Sequence, residues 1–424
     1  MTQPNRRLAA QAQQGLAPAN KQAGKTRRSR HGRAASASGQ HALLGTLSVD
    51  DFLKRHWQRR PLLVRQALPE GAAPLDAQSL CDLAAHDGIE SRLITAFNGR
   101  WQLEHGPFQA EELPSSNRKR WTLLVQGVDL HVPAAHQLLS RFRFLPDARL
   151  DDLMISLASD QGGVGPHVDS YDVFLLQAWG RRRWRIAPPG NTQLIDGLPL
   201  KILEGFEPTE EWVLEPGDML YLPPGWQHEG VAIGPCMTCS IGFRAPSRHE
   251  FLSEFLAQAA DQLTGPDPRF SDAGRAHSHQ PARLPADLAS TLLAWANQWR
   301  PERADIERFI GCYLTEPKPN VWFEAHQVLS RRSFALRAVK RGLHVDIRSR
   351  ILYRSRLLFL NGEAFDLPRR GAGLLRRLAD RRALSPLECQ SLLADADCAE
   401  LIYGWFNDAW IGMGETMSPE SSQL

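Results

Sequence analysis

Between residues 151 and 243 the chain reads as a run of short strands broken by glycine and proline. Segments 154–158, 168–178, 181–187, 211–214, 219–222 and 238–243 have strand-like composition, with Gly/Pro turns between them. Many short strands punctuated in this way pack as a sandwich or a barrel. Closing a barrel removes exposed sheet edges and leaves a mouth that can enclose a ligand. The rest of the chain is helical or mixed, which makes the protein α+β.

Flanking segments carry their own start and stop signals. Ser48-Val-Asp-Asp51 has the form of a capping box ahead of a short helix through Trp57. Residues 61–65 read as a strand. Asn98-Gly99 lies between strand-like flanks, a hairpin signal. Pro133 opens a helix to Phe144. After Phe243 the sequence turns helical. Ser247 and Glu250 form another capping box, and residues 286–300 and 302–314 read as two further helices. The last third combines a hairpin at 356–367, turning at Asn361-Gly362, with helices at 371–382, from Ser385-Pro386, and at 399–411. That pattern resembles a winged-helix module. Its arginines (369, 370, 376, 377, 381 and 382) are matched by acids, which favours structural or protein contacts over DNA reading.

At 424 residues there is room for two or three domains with real cores. The 42% apolar and 23% charged composition is that of a soluble globular protein. With no run of about 18 apolar residues, no membrane helix is expected. The N-terminus also lacks a secretory h-region. Six scattered cysteines form no disulfide framework and point to a reducing cytoplasm. Cys236-Met-Thr-Cys239 has CxxC spacing, but in a strand i and i+3 face opposite sides, so it reads as structural. His277-Ser-His279 reads as a solvated loop.

Residues 1–40 hold eight Lys/Arg and no acid, more than the whole net charge of +3, so the remaining chain is mildly acidic. The tail, taken as 1–42, reads as disordered. Three uses stay open: a solvated extension, a weak RNA grip through Arg27, Arg28, Arg30 and Arg33, or an organelle transit peptide.

Chemistry concentrates at Gly162-Gly163-Val164-Gly165-Pro166-His167-Val168-Asp169. The glycine-rich lead-in, with Asp160 at its head, reads as part of a substrate entrance as well as a flexible turn. In a strand His167 and Asp169 share a face, and a neutral imidazole beside a carboxylate is two thirds of a 2-His-1-carboxylate triad. His228, 61 residues on, follows the turn of Tyr221-Leu-Pro-Pro-Gly225 and is the third candidate. In the run Arg181-Arg-Arg-Trp-Arg-Ile186, positions 182, 184 and 186 share a face. Arg182 therefore lies on the apolar side, where a buried guanidinium needs a carboxylate partner.

With these motifs the chain resembles the JmjC-type cupin oxygenases, and among them the bacterial ribosomal oxygenases, from about residue 45 to the C-terminus. The resemblance rests on Gly165-Pro-His-Val-Asp-Ser-Tyr-Asp-Val-Phe174, Gly180-Arg-Arg-Arg-Trp-Arg185, Tyr221-Leu-Pro-Pro-Gly225 with His228-Glu-Gly230, and Gly242-Phe-Arg-Ala-Pro246. It implies a double-stranded β-helix oxygenase domain at 43–246, a helical dimerisation region at 247–340 and a winged-helix-like domain at 341–424. It further implies an Fe(II)- and 2-oxoglutarate-dependent dioxygenase using O₂ and releasing succinate and CO₂. His167, Asp169 and His228 take the iron-ligand positions and Arg182 the co-substrate position. Ser156 is a further co-substrate candidate, and Asp160 stands where the family places a carboxylate for the substrate. The implied substrate is an arginine of a large-subunit ribosomal protein, hydroxylated at its β-carbon by a cytoplasmic homodimer. Two alternatives stay open: hydroxylation of a ribosomal-protein histidine, and a non-oxygenase cupin that binds metal or regulates.

Overall fold

The computed structural model describes residues 41–414 apart from 69–72, 98, 116, 262, 265, 299 and 325–327. Residues 1–40 of the basic tail and Asn98 of the first hairpin signal lie outside the described residues. Ten antiparallel strands build one sheet: β1 (Leu62–Val64), β2 (Ser91–Phe97), β3 (Arg100–His105), β4 (Trp121–Val125), β5 (Leu150–Ala158), β6 (His167–Val168), β7 (Val173–Ala187), β8 (Glu210–Leu214), β9 (Met219–Leu222) and β10 (Gln227–Phe243). They run in the order β1-β9-β7-β10-β5-β4-β2-β3, with β6 added to β10 and β8 to β7.

Alternation sorts the side chains of this sheet into two layers. Leu153, Ile155 and Leu157 of β5, Phe174 and Leu176 of β7, and Cys239, Ile241 and Phe243 of β10 face one way. They pack with Phe52, Leu80 and Leu138 of helices α1 (Val49–Arg55), α2 (Ala77–Ala84) and α3 (Pro133–Ser140). Burying each such side chain contributes roughly 1.5–3 kcal/mol. The intervening residues Val173, Leu175, Trp184, Ile186, Leu214, Leu220 and Leu222 form a second, inner cluster. The result is a double-stranded β-helix with an inside and an outside.

Two strands are longer than the sequence suggested, for one physical reason. Gly180, which reads as a turn, and Gly230 are positions where a side chain has no room. At Gly180 (φ +63°) a Cβ would come within 2.2 Å of the Pro235 carbonyl oxygen, so β7 passes through without ending. At Gly230 a Cβ would meet the Trp184 ring at 2.8 Å, so β10 also passes through. His228 is the second residue of β10, just after the Pro-Pro-Gly turn. The Gly162–Gly163 lead-in is likewise held rather than loose. Gln161 N–H donates to Ala232 O at 3.0 Å and Ala232 N–H to Gly162 O at 2.9 Å. A Cβ at Gly162 would strike the Trp121 carbonyl oxygen at 2.3 Å.

Beyond the sheet lie α4 (Arg248–Asp261), α5 (Ala286–Gln298), α6 (Arg303–Thr315) and α7 (Arg331–Arg341). The Ser247–Glu250 capping box forms in both directions. A C-terminal module follows. A sheet of β12 (Ile351–Arg354), β13 (Leu357–Leu360) and β14 (Glu363–Asp366) accompanies α8 (Ala372–Arg381), α9 (Pro386–Leu393) and α10 (Ala396–Asn407). Asn361 and Gly362 make the two-residue turn, both at positive φ (49° and 88°) as a type I′ hairpin requires. α2, α7 and the small sheet of β11 (Leu343–Val345), β15 (Ala383–Leu384) and β16 (Ile411–Met413) have no counterpart in the sequence reading.

The arginines of this module are largely committed. Arg377 pairs with Glu388 at 2.6 Å, and Arg382 donates to the backbone oxygens of Asp346 and Ser349 at 2.7 and 3.0 Å. Cys236 and Cys239 belong to different clusters on the two faces of β10. His277 and His279 are exposed. No helix among the described residues is long and apolar enough to cross a membrane.

Candidate metal and co-substrate site

β6 is only two residues long, yet its pairing with β10 sets His167 directly opposite His228. The two rings lie 4.2 Å apart, centroid to centroid. Asp169 follows β6, and its carbonyl oxygen accepts from Gly225 N–H at 2.8 Å, so the Pro-Pro-Gly turn pins this end of the strand. Its Oδ2 lies 3.6 Å from His228 Nε2. One donor atom from each of the three side chains lies within 4.8 Å of the others. His167 and Asp169 thus converge, but through the turn after β6 and not as strand neighbours.

The imidazoles are oriented from behind. His167 Nδ1 lies 3.0 Å from Gly165 O and His228 Nδ1 lies 2.9 Å from Trp226 O. A carbonyl only accepts, so each Nδ1 carries the proton and each Nε2 keeps its lone pair for a metal. Burial, then the adjacent His167, pushes the His228 pKa down to about 4, which keeps the ring in its neutral, ligating form. Two neutral histidines and one carboxylate suit Fe(II) and leave coordination positions open. The turn beyond Asp169 is fixed in turn. Fully buried Asp172 accepts from Tyr221 Oη–H at 2.6 Å and from Gln58 and Arg149 at 3.0 and 3.1 Å.

Arg182 sits on the inner face of β7, only 5% exposed. Its Nε and Nη2 have no hydrogen-bond partner among the described residues. A buried guanidinium left in this state costs several kcal/mol, and a carboxylate delivered into the barrel would satisfy it. Arg181 is exposed and Arg183 half-buried, while Arg185 pairs with Glu229. Ser156 is buried on the inner face of β5, and its hydroxyl donates to Thr238 O at 3.4 Å.

The sequence reading missed Gln177, whose buried amide donates to the Trp179 and Gly180 carbonyls at 2.8 and 3.2 Å and accepts from Thr238 Oγ1 at 3.0 Å. It holds the irregular stretch of β7 that leads into Arg182. Its signal was available: a polar residue at an inner position of an otherwise apolar strand.

Asp160 is not drawn into this cluster. Its carboxylate binds Lys119 Nζ at 2.7 Å and accepts from Gly234 N–H at 2.9 Å. These bonds, Lys119 first, hold its pKa below the usual carboxylate range. Lys119 was not singled out in the sequence, because its contact spans forty residues with no motif.

A His-Asp-His triad inside a double-stranded β-helix, with an unpaired arginine buried on the same wall, defines a 2-oxoglutarate-dependent iron oxygenase. Residues 137–251 match the JmjC domain family, and residues 294–412 match the ROXA-like winged helix. The chain is 35% identical over 377 residues to the ribosomal protein uL16 3-hydroxylase of Escherichia coli (strain K12), covering 86% of this chain and 97% of that one. An X-ray structure of E. coli ycfD superposes with a TM-score of 0.76 and 32% identity, covering 87% of this chain and 98% of that chain. A structure of YcfD, a ribosomal oxygenase from E. coli in complex with cobalt and 2-oxoglutarate, gives a TM-score of 0.72 at 31% identity, over 87% and 99% of the two chains. The chain belongs to the JmjC-type ribosomal oxygenases, carries their winged helix, and is a 2-oxoglutarate-dependent dioxygenase.

Proposed function

We propose that this enzyme hydroxylates the β-carbon of an arginine side chain in a large-subunit ribosomal protein. One oxygen atom of O₂ enters the C–H bond, and the other ends in succinate as 2-oxoglutarate loses CO₂. Bound iron supplies the oxidising chemistry. The observation that carries the reading is the converging donor set of His167, Asp169 and His228 beside the unpaired guanidinium of Arg182. In this reading the two histidines and Asp169 hold the metal, with each Nδ1–H fixed by a backbone carbonyl. Arg182, with Ser156 near it, takes the distal carboxylate of 2-oxoglutarate. Asp160 receives the substrate guanidinium. The choice of a ribosomal protein is supported by the E. coli relative, named for hydroxylation of uL16. Work on ribosomal proteins would place the enzyme in the cytoplasm.

The oxygenase domain is assigned to 43–246, a dimerisation region to 247–340 and the winged helix to 341–424. Dimerisation is supported by α5, in which none of the described residues is buried although it contains Leu288, Leu292, Leu293 and Trp295. Leu252 and Leu256 of α4 are also exposed. Such unpartnered apolar faces are what a second copy would cover.

The deciding experiment is mass spectrometry of ribosomal proteins from cells with and without this gene. A gain of one oxygen, localised to an arginine, is expected. A gain on histidine would transfer the activity to that residue, and no gain on any ribosomal protein would overturn the reading.

A further inference from the structure

The register of β7 against β10 orders the inner wall in three successive rungs. Ile186 faces His228, Trp184 faces Gly230, and Arg182 faces Ala232. Residues two apart on a strand are separated by roughly 6.5–7 Å. A co-substrate bound to the metal at the His228 rung and to the guanidinium at the Arg182 rung must therefore cross the Trp184 rung between them.

Trp184 is built for more than filling space there. It is 4% exposed, and its indole Nε1 has no hydrogen-bond partner among the described residues. A buried tryptophan N–H ordinarily finds an acceptor, and leaving one unpaired costs about 1–3 kcal/mol. The ring centroid stands 6.0 Å from that of His228, and the Arg182 guanidinium carbon lies 5.8 Å from the ring. The far edge of the benzo ring is seated on Gly230, where any side chain would collide with it. The indole is thereby fixed in place between the metal ligand and the arginine. Its unpaired N–H and the unpaired Nε and Nη2 of Arg182 belong to neighbouring residues on one buried wall.

We propose that Trp184 is a co-substrate contact: its ring supports the carbon chain of 2-oxoglutarate, and its indole N–H donates to the distal carboxylate that Arg182 binds. The inference rests on 2-oxoglutarate occupying this barrel, and adds a donor to the arginine. It also explains why β10 carries glycine at 230, since the ring could not lie over the wall otherwise.

The test is Trp184→Phe, which keeps an aromatic floor and deletes the donor. Calorimetric titration of 2-oxoglutarate into the Mn(II)-loaded protein should give a Kd about tenfold higher than wild type, the usual loss for a hydrogen bond to a charged group. Pyruvate, a 2-oxo acid with no distal carboxylate, should bind both proteins alike, and Mn(II) affinity should be unchanged. Equal 2-oxoglutarate affinity in variant and wild type would overturn the proposal. An equal loss for pyruvate, or weaker Mn(II) binding, would reduce Trp184 to packing behind His228 and also overturn it. Failure of the wild type to bind 2-oxoglutarate would instead remove the co-substrate reading on which this rests.

Discussion

His167 and His228 face each other across the β6–β10 pair with ring centroids 4.2 Å apart. Both Nδ1 atoms are turned to backbone carbonyls. The two imidazoles are thus aligned by the fold before a metal arrives. Saturating Mn(II) should raise the Tm of the wild type, since a ligand at one hundred times its Kd adds about 2.7 kcal/mol. His167→Ala and His228→Ala should lose that increment and all succinate formation. Asp169→Ala should do the same. A variant that kept the metal-dependent Tm shift would remove its residue from the ligand set.

Arg182 is a buried cation with two donors unpaired among the described residues. Arg182→Ala should raise the KM for 2-oxoglutarate by about 10- to 100-fold, the range for losing charge-assisted hydrogen bonds, with kcat recovered at high co-substrate. Steady-state succinate assays at varied 2-oxoglutarate measure this directly. An unchanged KM would show that the distal carboxylate is held elsewhere.

Lys119 and Asp160 form an ion pair at 2.7 Å, with Lys119 60% and Asp160 33% exposed by side chain. An incoming guanidinium must displace this lysine before Asp160 can receive it. Lys119→Ala should therefore lower the KM for an arginine-containing ribosomal peptide several-fold, because exposed pairs contribute only about 0–1 kcal/mol. Asp160→Ala should raise that KM while leaving metal and 2-oxoglutarate binding intact. If neither variant moves peptide kinetics, Asp160 only anchors the turn through Gly234.

These residues differ in how far sequence alone could find them. Arg182 was legible because strand alternation put it on a definite face, whereas His167 and Asp169 were legible as neighbouring candidates although they converge through the turn after β6 and not by alternation. His228 was legible as the residue that follows the Pro-Pro-Gly turn, but the full length of β10 beyond it was not. Reading Gly180 as a turn likewise shortened β7. Glycine reports missing room as readily as a bend, and only the partner strand distinguishes the two. Lys119 with Asp160, and Gln177 with Thr238, pair across long stretches of chain, where one sequence offers no register. The Asn361-Gly362 hairpin and the Ser247–Glu250 capping box, being local, were read correctly, but at Ser48 only the N-cap half forms, because the Asp51 carboxylate accepts from the Ser48 hydroxyl instead of its backbone N–H.

Asp129 supplies a prediction about pH. It is 3% exposed and its Oδ1 accepts from Leu153 N–H at 2.8 Å. Burial, then the nearby charge of Asp152, pushes its pKa up to about 6 from 3.8. Between those values the folded protein binds more protons at this site than the unfolded chain, so the contribution to stability falls as pH rises. Above pH 6 the full cost of the buried charge remains. Asp129→Asn keeps an oxygen acceptor for Leu153 and removes the charge. Its advantage over wild type should be absent near pH 3.8 and complete above pH 6. Between pH 5 and pH 7.5 the gap in urea-unfolding free energy should widen by about 1.4 kcal/mol, one pKa unit. His136, which lines a cavity together with Asp129, is pushed down to about 3, mainly by burial, and tilts stability the opposite way. Comparing variant with wild type at each pH cancels that slope. A gap that stays constant across this range would mean that Lys318 and Arg350 keep Asp129 ionised throughout.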